Sequence, residues 1–153
     1  MPPTPFRHAD VEAAILRAGA AVAEKRAAMP THYFTVAEAN ALLPQVMAVI
    51  REMMDARQRI IDAQPDLWQV LEKAVGNGGS KKAGELLSEF RRVENGAQAL
   101  SEMGCILKDI NTGLVDFPTI RNGQEALLCW RYGEPQVGHW HDTESGLAGR
   151  QPL

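Results

Sequence analysis

From Phe34 onward the hydrophobic period of the chain changes once, from helical to alternating. Leu43, Val46, Ile50, Met53 and Ile60 recur at three- and four-residue intervals, Leu42, Met47, Met54 and Ile61 widen the stripe, and Arg51, Glu52, Asp55 and Arg59 occupy the opposite side. This spacing predicts a long helix with one buried face. Thr35-Val36-Ala37-Glu38 has the form of a capping box at its start, with Phe34 placed as a hydrophobic staple. Pro44 removes the bond to the Asn40 carbonyl, which predicts a kink or a short separate first turn. Pro65 suits the opening of a further helix through Val75, or a bend in one continuous helix, and Gly76 suits its stop. Gly76-Asn77-Gly78-Gly79-Ser80-Lys81-Lys82 reads as a flexible exposed loop. A second seam, Leu86, Phe90, Val93, Ala97 and Leu100, ends at Gly104 in a C-capping position. The two long helices are expected to pack as an antiparallel hairpin.

After Gly104 the period becomes two. The runs 105–110, 114–119, 125–132 and 137–142 are short, β-branched or aromatic, and turn residues separate them. They predict a four-stranded antiparallel meander. Asn122-Gly123 is the strongest hairpin signal, favouring a two-residue type I′ turn and pairing Arg121 with Gln124, Phe117 with Leu128 and Val115 with Trp130. A two- or four-residue loop around Glu134-Pro135 then sets Trp130 opposite His139 and Leu128 opposite His141. One face reads Val115, Phe117, Leu128, Trp130, Tyr132, Val137, His139 and His141 and is expected to cover the helices. The other reads Leu114, Asp116, Pro118, Leu127, Cys129, Arg131 and Trp140. A one-residue slip reverses the whole assignment.

Residues 1–30 differ in composition: nine of the thirty are Ala. Val11, Ile15, Ala18 and Val22 give a thin stripe over 9–28, so a weakly attached N-terminal helix is expected as an extension to one domain over 31–153. Met29-Pro30-Thr31 is a second candidate start. Lys plus Arg total 16 against 19 Asp plus Glu, which leaves no electrostatic footprint for nucleic acid. No apolar run approaches the roughly 20 residues of a membrane span. Cys105 and Cys129 lack CxxC spacing and are too few for a secreted disulfide framework, so reduced thiols in a cytoplasmic protein are expected.

Two constellations carry candidate chemistry. Asp116, Arg131 and Trp140 on the second face, with Arg150 swinging over from the glycine-bearing tail, suit a small anionic ligand: a guanidinium fork grips a carboxylate or phosphate and an indole supplies a flat wall. The bland counterpart is a structural Asp116–Arg131 ion pair, or a strand contact in a homodimer. His139-x-His141 puts two imidazoles on one face of a strand, where they can share a transition metal such as Zn with Glu134, Glu144 or Asp142. Its bland counterpart is two packed rings. Cys129 beside Asp116 is a poor nucleophile, and no histidine is expected on its face, so no catalytic residue is assigned.

Phe34-Thr35-Val36-Ala37-Glu38-Ala39-Asn40-Ala41-Leu42-Leu43-Pro44, Leu107-Lys108-Asp109, Gly113-Leu114-Val115-Asp116-Phe117-Pro118, Leu128-Cys129-Trp130-Arg131, Gly133-Glu134-Pro135, Trp140-His141 and Gly146-Leu147-Ala148-Gly149-Arg150 together resemble an uncharacterised bacterial family, domain of unknown function 2203. The resemblance runs from about Tyr33 to the C-terminus. It implies a cytoplasmic helical-hairpin-plus-sheet domain without an assigned activity, and directs attention to Asp116, Trp130, Arg131, Glu134, His141 and Arg150 without giving any of them a role.

The sequence thus predicts an α+β domain in which an antiparallel pair of long helices packs on a four-stranded meander. The leading functional expectation is a non-catalytic, self-associating binding or interaction module with no cofactor, its partner a protein or a small anionic ligand. The alternative is a metal-binding protein or metal-dependent enzyme using His139, His141 and Glu134.

Overall fold

The computed structural model describes residues 8–24, 32–63 and 81–153, together with Gln69. Apart from Gln69, the helix expected over 65–75, its stop at Gly76 and the glycine-rich segment through Ser80 lie outside the described residues, as do 1–7 and 25–31.

Thr35 closes the capping box as its sequence demands: its hydroxyl accepts from the Glu38 amide at 3.1 Å, and the Glu38 carboxylate accepts from the Thr35 amide at 2.7 Å. Helix α2, Val36–Asp62, starts there and runs through Pro44, whose ring lies on the exposed side; no separate first turn forms. Its buried residues, Ala39, Leu43, Val46, Ile50, Met53, Ala56 and Ile60, follow the predicted stripe. Helix α3, Lys81–Glu102, packs against α2. Arg59 meets Glu89 at 2.9 Å and Glu52 meets Arg92 at 2.9 Å, so residue numbers rise on one helix as they fall on the other and the pair is antiparallel. Gly96 lets the helices approach closely, since a Cβ there would lie 2.3 Å from Met53 Cγ. Lys81 and Lys82, expected in a loop, belong to α3. Gly104 ends this region with φ +86°. Helix α1, His8–Glu24, docks on the pair through the buried Val11 and Ile15, and Glu12 bonds Arg57 at 2.5 Å.

The rest is one antiparallel sheet in sequential order: β1 Ile106–Asp109, β2 Leu114–Arg121, β3 Gln124–Arg131, β4 His139–Asp142 and a two-residue β5, Gln151–Pro152, that extends the expected meander. Asn122 and Gly123 both have positive φ, 52° and 76°, as a type I′ turn requires. The β2–β3 ladder is the predicted one, with Val115 opposite Trp130 and Phe117 opposite Leu128. These side chains join Phe34, Leu43, Val46 and Ile50 in the core between sheet and helices.

The β3–β4 ladder departs from expectation by one residue. Cys129 pairs with His139, Leu128 with Trp140 and Leu127 with His141. The connection is seven residues long, 132–138, and its path explains the shift. Glu134 turns the chain by donating its amide to the Arg131 carbonyl at 3.0 Å, Trp130 Nε1 donates to the Glu134 carbonyl at 3.0 Å, and Gly133 takes φ +100°. Val137 then dips into the core, its amide held by Asn40 Oδ1 at 2.8 Å. The detour has odd parity, so Trp140 moves to the helix-facing side and both histidines move to the outer face.

Gly113 tests how this packing is fixed. Its φ is +68°, and an added Cβ would lie 2.6 Å from Tyr132 Cβ and 3.0 Å from Ile50 Cγ2, whereas Gly123 (φ +76°) faces open space. Gly113→Ala is expected to lower the unfolding free energy by about 2–4 kcal/mol and Gly123→Ala by only about 1–2 kcal/mol, read from urea unfolding.

Candidate metal centre

The observed registers bring a row of polar side chains across the outer face of the sheet. Cys129, on the central strand, has Asp116 as its cross-strand partner on one side and His139 on the other, and His141 is one pleat along. Asp116 and Cys129 are 0% exposed and His141 3%. One ligating atom from each of Asp116, Cys129 and His141 lies within 4.8 Å of the other two.

The hydrogen bonds of His141 fix what the trio can do. Its Nδ1 is 2.7 Å from the Asp142 carbonyl oxygen, which can only accept, so Nδ1 carries a proton and donates. Its Nε2 is 3.0 Å from Asp116 Oδ2. With Nδ1 protonated, the neutral ring presents a lone pair there to an oxygen that also carries lone pairs. A proton, on either the carboxyl or the ring, or a metal ion must therefore lie between them. Asp116 Oδ1 has no hydrogen-bond partner among the described residues.

Burial is the largest influence on the Asp116 carboxyl and pushes it above its ordinary range, against the charge and hydrogen bond of His141 and the charge of Lys108, whose Nζ is 4.0 Å away. Burial and the neighbouring Asp116 charge push the Cys129 thiol up to about 11, with Arg150 opposing. Such a thiol is protonated at neutral pH, which makes Cys129 a poor nucleophile. Cys105 is also inert, raised by burial to about 12.

A second group of side chains closes the outer end of the row. Arg150 Nη2 bonds the Glu134 carboxylate, and its guanidinium lies near enough to Cys129 to act on the thiol. Glu134 Oε2 also accepts from the Arg131 amide at 2.9 Å. Burial raises the Glu134 carboxyl, but the Arg150 and Arg131 hydrogen bonds and the Arg150 charge outweigh it and leave the group below its ordinary value. His139 Nδ1 lies 3.9 Å from Glu134 Oε1, too far for a hydrogen bond. Both His139 Nδ1 and Arg150 Nε are buried without a hydrogen-bond partner among the described residues.

The family model described as "Uncharacterized conserved protein (DUF2203)" matches residues 32–153. The chain belongs to this family. No curated protein and no solved structure matches it. The family match takes in α2, α3 and the whole sheet, so every member of the polar row lies within it, while α1 lies outside.

The sequence-based candidates of this DUF2203 member are redistributed by the β3–β4 register. Asp116 is where it was expected, but His141 and Lys108 meet it, and Arg131 is exposed and engaged through its backbone among the described residues. Trp140 leaves that face and stacks under the Arg121 guanidinium, 4.5 Å from the ring centroid. Arg150 does swing over the outer face, onto Glu134 and Cys129. His139 and His141 share a face as predicted, but it is the outer one. Their surroundings differ: His141 is in the trio and His139 beside Glu134. Asp142 accepts from Ser145 and the Glu144 amide, away from the cluster. Cys129 is the residue that the sequence reading set aside, because a histidine was not expected on its face.

The Glu134–Arg150 pair predicts a pH dependence for the tail. A carboxyl whose folded pKa lies below its ordinary value of about 4.5 contributes stability that is present above that value and lost as pH falls through the folded one. Protection of the Leu153 amide, which donates to the Gly138 carbonyl at 3.0 Å, is expected to hold at pH 6 and decline below pH 4.5. In Glu134→Gln it is expected to be low at both pH values by amide exchange.

Proposed function

We propose that this protein is a small non-catalytic metal-binding protein that holds one divalent transition-metal ion between Asp116, Cys129 and His141. The observation that carries the reading is the His141 ring, whose Nδ1–H is committed to a backbone carbonyl so that the Nε2 lone pair faces a buried carboxylate 3.0 Å away and a thiol within 4.8 Å. A second-sphere bond of this kind fixes the tautomer of metal-bound histidines in general. Neighbouring ligands on tetrahedral Zn are about 3.3–3.6 Å apart, given metal–ligand bonds of about 2.0–2.3 Å. The Nε2–Oδ2 pair would open slightly and the widest separation would close by about 1 Å.

Charge balance supports a divalent ion. The trio with its protons, a neutral thiol and one shared proton on the Asp116–His141 pair, has no net charge. Replacing the thiol proton and that shared proton by a doubly charged cation again leaves a thiolate, a carboxylate, a neutral imidazole and no net charge, which suits a site with almost no access to water. The thiolate favours a borderline-soft ion such as Zn²⁺ over Mg²⁺ or Ca²⁺. A reducing compartment, such as the cytoplasm, belongs to the same reading, because Cys129 ligates only as a free thiolate. Native mass spectrometry of the loaded protein reports whether the expected self-association accompanies it.

Protein purified without chelator is expected to carry one transition-metal ion per chain by elemental analysis, or to take up one Co²⁺ with a thiolate-to-cobalt absorption band. Binding is expected to strengthen with pH, with about two protons released per ion between pH 6 and 8, measured by titration calorimetry in buffers of different ionisation enthalpy. Cys129→Ser and His141→Gln are expected to weaken binding by more than the 10–100-fold of an outer-sphere loss, while His139→Gln stays within it. Wild-type protein without metal affinity, or Cys129→Ser binding as wild type does, overturns the reading.

A further inference from the structure

We infer that the C-terminal tail, residues 146–153, is a removable cover over the Asp116–Cys129–His141 cluster, latched by Arg150 on Glu134, so that the ion held beneath exchanges with solvent instead of serving as a permanent structural metal. The inference rests on the metal-binding reading for the identity of the ion, but the cover itself can be tested without one.

The three ligating side chains are sealed, so an ion reaches them only if something moves. The C-terminal tail lies at this end of the row. The 3-10 turn Gly146–Gly149 contacts β4, and β5 pairs with β4 through Pro152 opposite His139 and Gln151 opposite Trp140. Gln151, Pro152 and Leu153 are all exposed. Residues 151–153 therefore contribute little buried apolar area, and the charged attachment of the tail is the partly buried Arg150–Glu134 pair, the arginine side chain being 13% exposed and the carboxylate 19%. Arg150 is also near enough to Cys129 to act on its thiol, so undoing one side chain both frees the tail and clears the approach to that residue.

The near end is built as a hinge. Asp142 Oδ1 accepts from the Glu144 amide at 2.9 Å, the Ser145 amide at 2.6 Å and the Ser145 hydroxyl at 2.7 Å, which anchors the chain before Gly146. Gly146 itself takes φ +54°, where its missing side chain removes the steric cost of turning. The fold beneath has its own support. The eight β2–β3 pairs, the Asn122-Gly123 turn and the packing of Phe117, Leu128 and Trp130 against the helices hold Asp116 and Cys129 in place whether the tail is down or up.

The test is the rate at which N-ethylmaleimide alkylates Cys129 in full-length, chelator-treated protein, with peptide mass spectrometry to separate it from Cys105. Cys105 is buried in the main core and serves as an internal gauge of global unfolding. Arg150→Ala and Glu134→Gln are expected to speed Cys129 alkylation at least tenfold and leave Cys105 unchanged. Both variants are also expected to load one Co²⁺ per chain at least tenfold faster than wild type in stopped flow. Wild-type Cys129 rates in both variants overturn the cover, and so does a parallel rise at Cys105, which would mean general loosening. Accelerated alkylation confined to Cys129, in protein that takes up no metal, upholds the cover but overturns both the metal reading and the exchange of an ion beneath it.

Discussion

Cys129 is hydrogen-bonded into the sheet between two strands, and the rest of the outer face depends on that double pairing. A residue in a central strand has a cross-strand neighbour on each side, pointing to the same face. For Cys129 those neighbours are Asp116 and His139, and the pleat then brings His141 in diagonally. The alternating residues on either side, Leu128 and Trp130, turn inward and carry the packing against the helices. One strand thus secures the core with one set of side chains and assembles the polar row with the other.

The outer face is unusual in what it buries. A carboxylate, a thiol and an imidazole lose almost all contact with water there, a cost that the sheet meets only partly through the His141 hydrogen bonds and Lys108. Among the described residues Asp116 Oδ1, His139 Nδ1 and Arg150 Nε have no hydrogen-bond partner, and they lie along one row. Buried polar atoms left unpaired in a group mark a place where selection for packing alone would have installed apolar side chains. The Glu52–Arg92 pair between α2 and α3, by contrast, remains about half exposed.

Much of the fold was legible because its signals are local. The capping box, the stripe from Leu43 to Ile60, the Gly104 stop and the Asn122-Gly123 turn each act over a few residues, and each appears as expected. The β2–β3 register followed, since a two-residue turn leaves no freedom. The β3–β4 register did not, because the parity of the longer connection is decided by Val137 and Asn40, a contact between residues 97 positions apart. That single unit of parity moved both histidines and Trp140 across the sheet. The chemistry of His-x-His was therefore recognised with the wrong companions, Glu134 being assigned to both rings when it neighbours His139 alone. The signal that was available was Val137 itself: an apolar residue with β propensity, placed between Pro135 and the histidines, is a candidate for an inward detour.

The segment before α2 joins the two layers by another route. The Phe34 amide donates to the Pro118 carbonyl at 2.7 Å, the Thr119 hydroxyl donates to the Phe34 carbonyl at 2.6 Å, and the Phe34 ring meets Phe117 edge-on at 5.4 Å. Pro118 turns its missing donor toward this open edge of β2, where no ladder bond is lost. The strand that bears Asp116 is thereby riveted to the first residues of the helical layer. Opening the helical layer at its capping box therefore pulls on the strand two residues from the buried carboxylate, so a disturbance of either layer is felt by the other.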